Sequence, residues 1–111
     1  MPGGDRPAAV LVMAEHGVVD PVWDRPGGAG EPLDLALLGV PDALVRSLRR
    51  WNQRYRDLAS TGYEWPEAAV QAVWTAEGRR LAFELQNVLP DVEVRYHEDG
   101  DVRPVRERRG S

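Results

Sequence analysis

Arg46, Arg50 and Arg54 stand four residues apart with Arg49 and Arg56 beside them, so a helix through this segment carries five guanidiniums along its outer side. Guanidiniums in such a row grip phosphates or carboxylates through paired N–H donors, or they serve as a solvated face that keeps the helix in water. A second grouping is Glu77 with Glu84. At about 100° per residue, Glu77 falls between Val73, Trp74 and Leu81, on the stripe expected to face the core. A carboxylate there must be paired or suffer desolvation. Two carboxylates on one helix side suit acid–base or metal chemistry. In the structural alternative Glu77 pairs with an arginine or a tryptophan N–H across a helix contact, or the face is turned by one residue. The third grouping is aromatic. Tyr63 and Trp65 lie in Gly62-Tyr63-Glu64-Trp65-Pro66, a turn between helices, where exposed aromatic rings make binding hot spots. Trp51 and Trp74 fall on apolar stripes and are expected to be packing anchors, and Trp23 ends an edge strand.

Other chemistry finds less support. His97, Glu98, Asp99 and Asp101 gather at one turn and Glu15, His16 and Asp20 at another, but neither histidine belongs to an HxxxH or HExxH spacing. Acidic turns are ordinary on solvent-facing hairpins, so no metal and no cofactor is expected. There is no cysteine, GxSxG elbow, phosphate loop or dinucleotide fingerprint; Gly27-Gly28-Ala29-Gly30 lacks both the preceding apolar strand and the following Lys-Ser/Thr.

The arginine row must be weighed against composition. The chain has fourteen arginines, no lysine and no isoleucine, a pattern that GC-biased codon usage produces without help from function. Net charge is −4, distributed as −5 over residues 1–42, +5 over 43–56, −4 over 57–78 and zero over 79–111. An acidic total disfavours a dedicated polyanion binder, and no helix-turn-helix, RNP or zinc-finger pattern is present. The apolar run at residues 8–14 is far shorter than the ~20 residues that span a bilayer and lacks the combination of a basic leader and a following small-residue cleavage site. A cytoplasmic protein without a membrane segment is expected.

These groups are positioned by a small number of elements. At 111 residues the chain is one domain, able to bury roughly 65% of its unfolded surface. Residues 1–7 and 106–111 read as disordered or loose ends, leaving 8–105 as the domain. Residues 8–14 are apolar on both alternating faces and suit an interior strand. His16-Gly17 reads as a tight turn and 18–23 as a returning strand, placed at an edge because Pro21 has no N–H to donate. Residues 24–40 are hard to read; a seventeen-residue loop is uncommon, so a short helix near Leu35 or a functional loop is expected. From Pro41 the spacing of Leu44, Val45, Leu48, Trp51, Tyr55, Leu58 and Ala59 predicts a helix, ended by Ser60-Thr61-Gly62. A second helix is predicted over 66–89, with Val70, Val73, Trp74, Leu81, Leu85 and Val88 inward and Pro90 as its stop. Its opposite strip of Ala68, Ala72, Ala76 and Phe83 would make a homodimer surface. Strict alternation over 91–97 predicts a one-sided strand, and Asp99-Gly100 a hairpin returning through 102–105. The order is β-β-α-α-β: an α+β fold with a small mixed sheet packed by an antiparallel helix pair. The last strand should lie parallel to the first, with the Pro21 strand on the other side.

The segments Pro21-Val22-Trp23, Leu48-Arg49-Arg50-Trp51-Asn52-Gln53-Arg54-Tyr55, Thr61-Gly62-Tyr63-Glu64-Trp65-Pro66 and Glu77-Gly78-Arg79-Arg80-Leu81-Ala82 together resemble a loose set of small uncharacterised actinobacterial proteins. The likeness covers roughly residues 8–98 and implies no activity.

A small acidic domain without a catalytic grouping is expected to be a non-enzymatic protein that works through contact with another protein, the class that includes regulators and toxin-neutralising immunity proteins. Its candidate contacts are Arg46, Arg49, Arg50, Arg54, Arg56, Tyr63 and Trp65. One alternative is an electrostatic binder of nucleic acid or an acidic segment through the arginine face; the other is a small enzyme or ligand binder using Glu77.

Overall fold

The computed structural model describes residues 8–15, 17–24, 32–62, 64–98 and 103–105. Strands β1 (Ala9–Val12) and β2 (Val22–Trp23) precede helices α1 (Asp42–Arg56) and α2 (Ala68–Val88), which a 3-10 segment, Asp57–Thr61, links, and β3 (Glu93–Tyr96) follows. The sheet has the order β2-β1-β3. β1 is antiparallel to β2, with Leu11 opposite Trp23, and parallel to β3, with Ala9 opposite Glu93 and Val12 opposite Tyr96. The α+β architecture, element order and strand directions agree with the sequence reading.

Val10, Leu11 and Val12 are fully buried, as an interior strand apolar on both faces requires. Alternation and register put Val10, Val12, Val94 and Tyr96 on one face of the sheet, where they join Leu44, Val45, Leu48 and Trp51 of α1 and Leu81, Ala82 and Leu85 of α2 in one core. β3 alternates buried Val94 and Tyr96 with half-exposed Glu93 and Arg95, the expected one-sided strand.

β2 is shorter than the expected 18–23. The Met13 N–H donates to the Pro21 carbonyl (3.0 Å), but the Val18 carbonyl, which a longer ladder would use, instead accepts from the Asn52 side chain (2.9 Å). The outer side of β2 is met again by the chain: the Leu33 N–H donates to the Val22 carbonyl (2.9 Å), and Trp23 bridges to Pro32. The short helix sought near Leu35 is a single turn over residues 35–39. The Asp34 carboxylate accepts from the Ala36 and Leu37 N–H groups at 3.0 and 3.4 Å, and Gly39 closes the turn at φ 81°. The turn seats Leu35 wholly in the core.

In α1 the stripe holds as expected through Leu44, Val45, Leu48 and Trp51, with Tyr55 half-buried; Leu58 is buried in the 3-10 segment, whereas Ala59 is exposed. Gly62, at φ 69°, ends the segment at the expected place. α2 departs from its expected face. Val73 is 63% exposed and Val88 is also exposed, while the inward positions are Gly78, Leu81, Ala82, Leu85 and Gln86. The helix is turned by about one residue, because Gly78 is the position at which Trp51 and Tyr96 press against its backbone: a Cβ there would lie 2.5 Å from Trp51 Cζ2 and from the Tyr96 hydroxyl.

Pro104 bridges Arg95 in an isolated antiparallel contact, at the place of the return through 102–105. The Asp99-Gly100 turn, the terminal stretches 1–7 and 106–111, and Tyr63 and His16 lie outside the described residues. Among the described residues no helix is long and apolar enough to cross a membrane.

Candidate interaction site

The helix pair is held by two tryptophans. Trp51 of α1 and Trp74 of α2 stack with ring centroids 4.5 Å apart and planes 7° from parallel. Each indole N–H donates to the other residue's backbone carbonyl at 2.9 Å, so both polar ends of the stack are satisfied across the interface. Tyr55 and Trp65 add rings 5.9 and 5.0 Å from Trp74, and the Tyr96 hydroxyl donates to the Thr75 carbonyl (2.8 Å). Trp51 and Trp74 are thus packing anchors, as expected. Trp65 is half-buried and folds back over Trp74. Trp23 donates its N–H to the Met13 carbonyl (3.0 Å), a tie across the hairpin.

Two buried amides fasten the helices to the sheet. Asn52 accepts from the Glu15 N–H and donates to the Val18 carbonyl, both at 2.9 Å. Gln86 accepts from the Val94 N–H (3.0 Å) and donates to the carbonyls of Leu89 (3.0 Å) and Val92 (2.7 Å). Sequence reasoning passed over both, since a single amide inside a helix carries no periodic signal.

Where the parallel strands β1 and β3 end, a groove of about 470 Å³ opens between Met13–Glu15, Tyr55, Trp65, Gln71, Trp74, Thr75 and Tyr96–Glu98. A shallower trough beside it runs along Ala68, Ala72 and Ala76 to Arg79 and Glu98. These three alanines are exposed and Phe83 is half-buried against the core, so the expected small-residue strip exists only in part as an outer surface.

The arginines divide into engaged and unengaged. Arg49 forms an ion pair with Asp20 at 2.6 Å, and that hydrogen bond, followed by the aspartate's charge, raises the guanidinium's pKa above its ordinary value. Arg56 donates to Gln53 (3.3 Å), which in turn donates to Asp57 (2.8 Å). Arg79 is paired with Glu98, and Arg95 with Glu93 at 2.8 Å. Arg80 bridges Glu77 (2.6 Å) and Glu84; hydrogen bonding to Glu77 is the main cause raising its pKa, against the opposing effect of burial. Arg46, Arg50 and Arg54 have no side-chain partner among the described residues. The five-arginine face is therefore a row of three at i, i+4 and i+8, with Arg49 tied to the hairpin on one flank and Arg56 held locally at the end of the helix.

Beside that row Ser47, Arg50, Trp51, Arg54, Val73 and Glu77 enclose a hollow of about 100 Å³ between α1 and α2. Ser47 and Val73 were missed as site residues; Val73 was placed inward by its apolar type, and only the observed rotation of α2 brings it outside. The same rotation carries Glu77 off the core face to a side chain 37% exposed and paired with Arg80, which corrects the reading of a buried carboxylate. Of the two acidic turn clusters, His16, Asp99 and Asp101 lie outside the described residues, and the charged members that are described have other roles. Asp20 is spent on Arg49, Glu98 on Arg79, and His97 is exposed. Among the described residues no three His, Asp or Glu side chains group as a metal would need.

The model of a protein family described as Serratia CdiI immunity protein-like matches residues 8–99. That span nearly coincides with the stretch over which the sequence motifs gave their resemblance, and it takes in both helices and all three strands. No curated protein and no solved structure matches the chain.

Proposed function

Since the chain belongs to the Serratia CdiI immunity protein-like family, we propose that it is itself an immunity protein, a non-enzymatic module that binds a toxin protein and holds it inactive. The observation that carries this reading is the extent of the match, which runs from β1 through β3 and so covers the folded unit rather than one motif within it. The structure supports a binding role in two further ways. The stacked, reciprocally hydrogen-bonded tryptophans make the helix pair a rigid platform, and preorganised surfaces lose less entropy on association. The platform's outer side also presents charged groups, Arg46, Arg50 and Arg54, with no side-chain partner among the described residues.

The enzyme alternative began from a carboxylate on the core face. Glu77 stands instead at the surface in an ion pair, beside a hollow of about 100 Å³, well below the ~300 Å³ at which small-molecule pockets begin.

The test is capture of the tagged protein's partner from its native lysate, with nuclease present and at low and high salt. The expected result is one stoichiometric protein whose expression alone arrests growth of a host strain and whose co-expression with this chain restores it. A captured protein that does not impair growth, or one whose toxicity this chain leaves unchanged, overturns the reading.

A further inference from the structure

We infer that the toxin is held through an acidic segment of its surface laid along Arg46, Arg50 and Arg54, with one of its aliphatic side chains seated in the hollow between α1 and α2; this rests on the immunity reading above. The first observation is charge. Arg49, Arg56, Arg79, Arg80 and Arg95 are all engaged within the molecule, yet these three have no side-chain partner among the described residues, although acidic groups outnumber arginines in the chain. Like charges at i, i+4 repel, so the row disfavours its own helix slightly, and carboxylates supplied from outside would relieve that repulsion. Glu77 does not neutralise the row, since its carboxylate is bound to Arg80.

The second observation is shape. The hollow is lined by Trp51 and by Val73, which stays 63% exposed, together with Ser47, Arg50, Arg54 and the Arg80-paired Glu77. A hollow that brings an exposed aliphatic side chain and an aromatic ring together with two arginines has the make-up of a binding hot spot: the anchor excludes water and the charge pairs around it strengthen as they dry. An acidic protein segment satisfies both parts. A nucleic acid satisfies only the first, and three phosphate contacts are few beside the ~6–10 that give strong polyanion binding. The chain's net charge of −4 also repels a long polyanion, whereas a short acidic patch can meet the arginines locally.

The experiment measures affinity between this protein and the toxin recovered by capture, for wild type, Arg50→Glu/Arg54→Glu, Arg50→Gln/Arg54→Gln, Val73→Asp and, as a remote control, Ala72→Glu. The Gln pair removes charge without adding carboxylates, which guards against a folding defect in the reversal. The inference expects the reversal to weaken binding by about 100-fold or more, and the Gln pair and Val73→Asp by about 10-fold or more. Ala72→Glu should stay within about threefold, and wild-type affinity should fall with salt. Should wild type bind and protect while the two arginine pairs do the same within threefold, this surface is wrong and the immunity reading stands. A Val73→Asp protein that binds like wild type overturns the seated side chain. Failure of wild type to bind any toxin removes the immunity reading and this inference with it. Tight binding of random-sequence duplex DNA at low salt, lost in both arginine pairs, would make the occupant a nucleic acid and overturn the inference.

Discussion

In α1 the positions off the buried stripe are mostly charged, with Asp42, Arg46, Arg49, Arg50, Arg54 and Arg56 leaving a single inward orientation, whereas α2 carries Ala68, Ala69, Ala72, Val73, Ala76 and Val88 on its outside. The two helices pack on each other and on the same sheet, but they are oriented by different forces. Hydrophobic gain and charge desolvation are enough to orient α1, because turning it would expose the apolar stripe and bury guanidiniums at a cost of several kcal/mol. Turning α2 by one residue exchanges one set of small apolar side chains for another, so area hardly discriminates. Its orientation is set by shape at Gly78, where Trp51 and Tyr96 close on the backbone, and by the three hydrogen bonds of Gln86.

Gly78→Leu should break this arrangement most severely. Its Cβ would already meet the Trp51 ring and the Tyr96 hydroxyl at 2.5 Å, and neither can retreat without opening the core. We expect a loss of roughly 3 kcal/mol or more in urea unfolding, despite the better helix propensity of leucine. A loss under about 1 kcal/mol would show that α2 can adopt the other face, and the contrast between the helices would fail.

The same contrast explains what could be read from residues alone. α1, the interior strand β1 and the alternating β3 carry patterns with one solution, and the strand order follows from them. The direction of the α2 face did not follow, since its period is written in alanine and valine on more than one side. The asymmetry that decides it is a missing side chain at Gly78 and a polar one at Gln86, and neither registers in a hydrophobic pattern. The site inherited that error. Trp51 and Trp74 were placed correctly, but Val73 and Glu77 were read as inward, so the hollow they share with Arg50 and Arg54 could not be foreseen. That Arg49 is neutralised by Asp20 while Arg50 is not also lay beyond sequence, because the pairing joins residues 29 apart through the tertiary fold. Pro21 as the mark of a strand at the edge of the sheet and Gly62 as the stop after α1 were legible, each through a backbone rule that needs no partner.

The buried amides sharpen the comparison, since each helix has one. Replacing Gln86 by Leu orphans the Val94 N–H and the Val92 carbonyl in a fully buried setting, while the Leu89 carbonyl keeps the Val92 N–H at 3.1 Å, and we expect a loss of about 2–3 kcal/mol by chemical denaturation. Asn52→Leu takes one bond each from the Glu15 N–H and the Val18 carbonyl, near the surface at the β1–β2 connection, where water can substitute in part. About 1–2 kcal/mol is expected there. Hydrogen exchange should separate the two further, with protection lost first at Val94 in the Gln86 variant and at Glu15 in the Asn52 variant. Equal losses, or the reverse order, would mean that α1 depends on its amide as much as α2 does.

Glu77→Leu is the smallest and most discriminating change. Had Glu77 faced the core, leucine would either relieve a desolvated carboxylate, with a gain in stability, or break a buried pair, with a large loss. On the observed face neither applies. The carboxylate is more than one-third exposed and its partner Arg80 keeps a second contact in Glu84, so the pair lost is a surface one at i, i+3. Such pairs contribute about 0.2–0.5 kcal/mol and less in salt. The new leucine would lie beside exposed Val73 and recover a similar amount from partial burial, leaving the midpoint within about 0.5 kcal/mol of wild type. A gain above about 1 kcal/mol would mean that the Val70–Val73–Glu77 side is drawn inward in solution. That outcome would erase the hollow, and with it the reason for placing the toxin's apolar anchor between the helices.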